Sequence, residues 1–461
     1  MLNLKKIISN DNTLSLAGNM SLALWGLLSV FILARTLPSF EWGIWTLFIT
    51  AGNMVEMFRS GLTSTALVRF LSGAEGEERN KLIGSNWLIG LNLTVILSIL
   101  IIVANLLFKD HFDESGWGLF FTWYPLLALL NLPFNNAITV LQADQKFGKI
   151  LLIRSVSNGG FVLFLVVNYF FLKLGLYPIL YFYLSINIFT SFLTILFRWD
   201  GIKYLRKATR ETNKKLINFG KFTMGTLLGS NLLKSSDIFI ITLSPILGPV
   251  GVAYFNIPLK LTELLEVPLR SFLATAFPKM SKASIKGDIA EVTRIFYQYT
   301  GALVYMFFVF AIVAFIFSDF FVLFLGGEKY IAAVPVYQIF ILYGLLLPLD
   351  RFTGVVLDSV NRPKLNFYKV IFMAVANIIG DCIAVFVIPI IFPGVTMIEQ
   401  LMMVAGATIF TTIIGMIIGF SYVKQEIPIQ FSHIFTKGIE FYRKLLKSSD
   451  LSSIFKKINY Y

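Results

Sequence analysis

The 461-residue chain has one cysteine, Cys382, and two histidines, His111 and His433. A lone thiol closes no disulfide, and one Cys with two His makes no usual zinc site, so metal and redox chemistry are set aside and no cofactor is expected. Charge is scarce as well. Only 14% of residues are Asp, Glu, Lys or Arg against 56% hydrophobic, with mean hydropathy +0.75. A soluble fold cannot hide that much apolar surface, so the composition points to an integral membrane protein. Large loops are missing too. The longest candidate on the outer side, KDHFDES at 109–115, is short, whereas a membrane enzyme needs carboxylates or histidines on a sizeable loop; the chain is not expected to be an enzyme. No cleavable signal peptide is expected, because LKKIISND is short and polar and the first apolar run continues to spanning length.

What charge there is sums to +13, and its placement explains it. Arg198, Lys203, Arg206, Lys207, Arg210, Lys214 and Lys215 crowd one segment between long apolar runs, a pattern that stays cytoplasmic during insertion. Most other Lys and Arg fall in loops on the same side or in the C-terminal tail, and only Arg35, Lys109, Lys173 and Lys329 fall in outer loops. The basicity is a positive-inside bias, and nucleic acid is not an expected partner.

Windows of about 20 apolar residues bounded by charge, Pro or Gly give twelve spans: 13–34, 42–66, 82–108, 118–141, 149–172 and 176–197, then 217–243, 250–278, 294–317, 332–357, 368–391 and 397–422. The expected fold is therefore an all-α polytopic membrane protein: residues 1–197 as one six-helix half, 198–216 as a basic cytoplasmic hinge, 217–423 as the second half, and 424–461 as a basic cytoplasmic tail. An even number of spans in each half makes any repeat parallel, with both termini cytoplasmic and a cavity at its axis. The repeat is read from VGVAY (250–254) over WGIWT (42–46), with Gly251 on Gly43, and from LPLDRFTGVVLDSVNR (347–362) over LPFNNAITVLQADQK (132–146). In the tail, FSHIFTKGIEFYRKLLK mixes Phe, Ile and Leu with Lys and Arg, which suits a helix on the anionic inner leaflet.

Charge inside a bilayer costs about 3 kcal/mol per residue on insertion scales, so each such group pairs or faces water. The spans keep Arg59, Arg154, Lys221, Lys234, Lys260, Arg270 and Arg351, with Glu56, Asp237, Glu263, Glu266, Asp350 and Asp381. They form stripes at helical spacing: Asn53, Glu56, Arg59 and Thr63; Thr226, Ser230, Lys234 and Asp237; Lys260, Glu263, Glu266 and Arg270. Asn135 and Asn136 of the fourth span correspond to Asp350 and Arg351 of the tenth. Two readings stand. The stripes line a wet cavity, or the i,i+3 and i,i+4 partners only neutralise each other. Arg154 and Lys221 lie near the inner ends of their spans, where they can snorkel.

Ala34-Arg35-Thr36-Leu37-Pro38 followed by Glu41-Trp42-Gly43 resembles the A-R-x-L-G-x-x-x-[YW]-G turn of polysaccharide flippases, with Pro38 at the usual Gly. The ending SGLTSTALVRFLS (60–72) and the connection SVNRPKL (359–365) resemble that family too. These flippases are a branch of the multidrug, oligosaccharidyl-lipid and polysaccharide flippase superfamily. The resemblance implies a bacterial inner-membrane protein that moves a polyprenyl-diphosphate-linked oligosaccharide for O-antigen, capsule or exopolysaccharide assembly, beside the polymerase machinery. It implies that Arg59 and Arg270 hold the diphosphate through bidentate forks, with Lys234, Lys260, Arg351, Asn53, Asn135 and Asn136 lining the cavity. Glu56, Asp237, Glu263, Glu266, Asp350 and Asp381 would be charge partners or ion-coupling groups. Alternatives are a drug or cation antiporter of the same superfamily, disfavoured because 13–34 holds no acid, and a membrane polymerase or glycosyltransferase.

Overall fold

A computed structural model describes residues 11–71 and 73–447; the opening run before Asp11 and the end of the tail after Lys447 lie outside the described residues. Among the described residues the regular elements are helical. In chain order they are α1 (Asp11–Thr36), α2 (Ser39–Leu71), α3 (Gly76–Glu114), α4 (Gly118–Ala143), α5 (Phe147–Leu172), α6 (Leu176–Leu196), α7 (Arg210–Leu243), α8 (Gly248–Glu263), α9 (Glu266–Ile285), α10 (Ile289–Ile316), α11 (Ser318–Gly326), α12 (Val334–Ser359), α13 (Pro363–Ile391), α14 (Met397–Glu426) and α15 (Phe431–Lys447).

Eight of them, α3 to α6, α10 and α12 to α14, are long and apolar enough to cross a membrane. The chain is a multi-pass membrane protein. α2 and α7 are long enough, at 33 and 34 residues, but they carry the charged stripes. The eighth expected span, 250–278, is two helices parted at Leu264 and Leu265. Pro268 explains the break: its ring lacks an N–H and clashes with the carbonyl four residues back, on Leu264. Local signals set other helix starts. Thr209 and Thr212 form a capping box at α7, Thr396 and Glu399 another at α14, and Asp288 accepts from the Glu291 amide at α10.

Packing divides the chain into two compact units. One runs to Asn256 and takes in Phe324–Lys329; the other takes Ile257–Leu323 and everything described from Tyr330 on. In the first unit α7 lies along α2, and the approach is so close that a Cβ on Gly220 would meet the Leu62 carbonyl oxygen at 1.6 Å. Its inner core holds Leu67, Leu71, Leu82, Trp87 and Leu216. Segment 198–216, expected as a hinge, is ordered against α3. Trp87 Nε1 donates to the Asp200 carbonyl at 2.7 Å, Lys207 pairs with Glu77 at 2.8 Å and Lys215 with Glu78 at 3.3 Å. Asp200 is 1% exposed, and burial pushes its carboxyl up to about 6 although three backbone amides oppose the shift.

In the second unit Phe296, Phe307, Phe352, Val356, Leu357 and Ile434 pack into one core. Ile434 belongs to α15. That helix exists, as expected, but one face is packed on α10 and is not free for the leaflet. Its Gly438 meets Gly301 backbone to backbone, Tyr442 donates to the Ala302 carbonyl at 2.8 Å, and the Tyr297 hydroxyl accepts from the Gln430 amide at 2.7 Å. α5 and α13 both contain a π-helical turn towards their C-terminal ends, Asn168–Leu172 and Ile383–Val387. α5 holds a second such turn near its middle, Ser155–Gly159.

Candidate functional site

The polar stripe of α2 is held by α4. Arg59 grips Glu56 with two nitrogens, Nε to Oε2 at 3.1 Å and Nη2 to Oε1, while Asn135 Nδ2 donates to Glu56 Oε1 at 3.0 Å. Arg59 is 6% exposed, so its charge is spent on a partially buried carboxylate already bonded on both oxygens. Neighbouring Asn136 points elsewhere: its Oδ1 accepts from Asn86 of α3 and its Nδ2 donates to the Leu132 carbonyl. Asn53 is exposed and outside this group. On α7, Lys234 is exposed and Asp237 buried, where it accepts from Ser236 Oγ at 3.3 Å; the Thr226 side chain lies outside the described residues.

The break after α8 splits the third stripe. Lys260 and Glu263 pair at 2.8 Å on the last turn of α8, both partly exposed. Glu266 opens α9 and binds Arg270 Nη2 at 2.5 Å. The two ends of that bond differ: the Glu266 side chain is 12% exposed and the Arg270 side chain 73%. Arg270 therefore rests on a shielded carboxylate and offers its remaining donors outward. Arg351 of α12 is hydrogen-bonded to Tyr343 and lies in the field of Glu266 and Asp350.

Asp350 has a partner on the next helix that is not among the charges singled out in the spans. Lys369, at the start of the expected 368–391 span, is 2% exposed in α13. Its ammonium donates to Asp350 Oδ1 at 2.8 Å, the Asp350 carbonyl at 3.1 Å and Thr353 Oγ1 at 3.1 Å. Pro363 at the first helical turn was the available signal, because it starts the helix early enough to bury Lys369 nearly two turns in.

Asp381 sits in a separate buried cluster. Asn377 Nδ2 donates to Asp381 Oδ2 at 3.0 Å, and Thr411 Oγ1 of α14 donates to Asn377 Oδ1 at 3.0 Å. All three are 2% exposed or less. Asn377 and Asp381 are i,i+4 on an apolar helix, a spacing legible in the sequence.

A family model described as polysaccharide biosynthesis protein matches residues 10–284, well over half of the chain. The chain belongs to that family. The match contains Glu56, Arg59, Asn135, Lys234, Glu266 and Arg270, while Arg351, Lys369 and Asp381 lie beyond it. Comparison with curated proteins gives no match. Among solved structures, an inward-facing multidrug resistance MATE transporter of the MOP superfamily is 14% identical with TM-score 0.71, covering 87% of this chain and 94% of its own. The lipid II flippase MurJ in an inward closed conformation is 15% identical with TM-score 0.69, covering 94% and 91%. A MOP superfamily transporter from Pyrococcus furiosus is 14% identical with TM-score 0.58, covering 92% and 98%. At such identities the shared property is the fold. This polysaccharide biosynthesis family member thus has the architecture of MOP transporters.

Proposed function

We propose that the protein is a flippase carrying a polyprenyl-diphosphate-linked oligosaccharide across the bacterial inner membrane for surface polysaccharide assembly, with both termini cytoplasmic and with alternating access. The observation that carries this reading is the Glu266–Arg270 bond, in which a shielded carboxylate props up a guanidinium left 73% exposed. A planar fork held this way suits a diphosphate, which takes two parallel charge-assisted bonds. The surrounding charge agrees. Lys369 and Asp350 neutralise each other, which leaves Arg270 and Arg351 beside Glu266. The family, and the fold shared with a lipid II flippase, support a lipid-linked cargo.

The test is transport of radiolabelled lipid-linked oligosaccharide into inverted membrane vesicles. Arg270→Gln should abolish uptake at normal protein level, and undiminished uptake would overturn the assignment. One cluster favours antiport as a second reading. Asp381 with Asn377 and Thr411 gives a buried carboxylate with amide and hydroxyl oxygens, suited to a proton or a hard cation. If the native protein moves a drug cation against a proton or sodium gradient and leaves the lipid-linked sugar behind, this second reading replaces the first.

A further inference from the structure

The six residues Phe324–Lys329 lie in the second half of the sequence yet pack with the first unit, while the chain on either side, through Leu323 and from Tyr330, packs with the second. They include the end of α11, where the last carbonyls have no helical partner. Arg35, the arginine of the Ala34–Pro38 turn, supplies one: its Nη1 donates to the Phe324 carbonyl at 2.7 Å and to the Leu325 carbonyl at 3.1 Å. The same guanidinium stands 4.1 Å from the centre of the Phe31 ring, and Phe31 in turn lies 5.4 Å from the Phe324 ring. Gly327, at φ +88°, then turns the chain in the left-handed conformation usual after a helix end. That turn brings Lys329 back, and its ammonium donates to the carbonyl of Leu37, two residues from Arg35. Tyr254 Oη closes the arrangement by donating to the Lys329 carbonyl at 2.7 Å.

Each strand thus holds the other: Arg35 binds carbonyls of 324–325, and Lys329 binds a carbonyl of the Arg35 turn. Arg35 and Lys329 are two of the four cations in outer loops, where positive charge is otherwise avoided. Of the six residues only Leu325 buries an apolar side chain, at 1% exposure, while Phe324 and Glu328 are exposed. The segment is held chiefly by donors to backbone carbonyls, which water can replace, and only lightly by core packing.

We propose that Arg35 and Lys329 form a releasable outer clasp, and are positioning residues for the transport cycle: the clasp holds 324–329 on the first unit in one state and lets go in another. This rests on the transport reading above. The chain enters and leaves the segment from the second unit, so movement of one unit must open the clasp or bend the residues flanking it. Donors on both strands make it close as a set, and its polar character makes it open at modest cost.

The experiment is a spin-label distance measurement on the full chain in lipid vesicles, without substrate, with Cys382→Ser and labels at Phe40→Cys and Glu328→Cys, both exposed. Loss of one charge-assisted bond should raise the ratio of long to short distances about tenfold in Arg35→Gln. Lys329→Gln, a milder change, should shift the ratio in the same direction, and Arg35→Lys should fall between Arg35→Gln and the native residue. The melting temperature should move little, since no core is lost. An unchanged ratio in both Gln variants overturns the clasp, as does a fall in melting temperature without a change in ratio. Because the ratio is read without cargo, a shifted ratio in a protein that moves no lipid-linked sugar condemns the flippase reading and leaves the clasp standing.

Discussion

Lys369 Nζ lies 2.8 Å from Asp350 Oδ1, with both side chains almost sealed from solvent at 3% and 6% exposure. Breaking a buried pair strands a charge, whereas replacing both members leaves none. Lys369→Met should therefore cost about 3–5 kcal/mol of stability, seen as a large drop in melting temperature by fluorescence-detected size exclusion. Asp350→Asn with Lys369→Met should recover most of the loss. A double variant as unstable as the single one would show that Lys369 matters through its contacts with Thr353 and the Asp350 carbonyl.

That pair also shows what the sequence could and could not tell. The helical, multi-pass character follows from hydropathy, and the pairs Glu56–Arg59, Lys260–Glu263 and Glu266–Arg270 follow from helical spacing; all three are present. Spacing does not report depth across helices. Asp350 and Arg351 are consecutive and so point apart on their helix, and Asp350 bonds to Lys369 on the next helix. Nor does spacing separate Arg59 from Arg270, which the sequence reading puts at corresponding positions yet which differ in exposure from 6% to more than half; Asn135 of α4 binds the carboxylate that holds Arg59. The break in the eighth span could have been read from Pro268.

Asp200 predicts a pH dependence. Its carboxyl is held at about 6 against an ordinary 3.8 by burial. The folded protein thus keeps a proton that the unfolded chain gives up, and the stability this group contributes is fully present below about 3.8 and is lost as pH rises through about 6. Asp200→Asn carries no such proton. Between pH 4 and 7 the melting temperature of the native protein should fall relative to that of Asp200→Asn, and parallel curves would contradict the burial argument.

The tail is open to a sharper test than its composition suggested. A Cβ on Gly438 would come within 2.7 Å of the Gly301 carbonyl carbon, and a Cβ on Gly301 within 2.1 Å of the Ile434 carbonyl oxygen. Gly438→Leu must push α15 off α10 and uncover Phe296 and Phe307, so a lower melting temperature and lower membrane level are expected. Truncation after Val423 should do the same, because it removes Ile434 from the core. A truncated protein that melts and transports normally would make α15 an accessory helix.

The basic segment makes a prediction about topology. With Cys382→Ser, a cysteine at Lys203 should resist an impermeant maleimide in intact cells, and one at Asp113 should react; labelling at Lys203 would invert the protein.

The diphosphate role of the two arginines separates into two different expectations. Arg270 meets Glu266 with one nitrogen and is otherwise exposed, so Arg270→Gln should leave folding intact and stop transport, and Arg270→Lys should restore only part of it, keeping the charge but losing the fork. Arg59 is bound to Glu56 through two nitrogens and is shielded, so to reach a diphosphate it must first give up that carboxylate. Arg59→Gln alone is therefore ambiguous, since it leaves Glu56 with only Asn135 and lowers stability whether or not substrate ever touches the arginine. The decisive protein is Glu56→Gln with Arg59→Gln, which leaves no unpaired charge. If Arg59 binds cargo, that double variant should fold like the native protein and still fail to transport; if it folds and transports normally, the pair serves α2 and α4 alone, and the anion is held by Arg270 and its neighbours in the second unit.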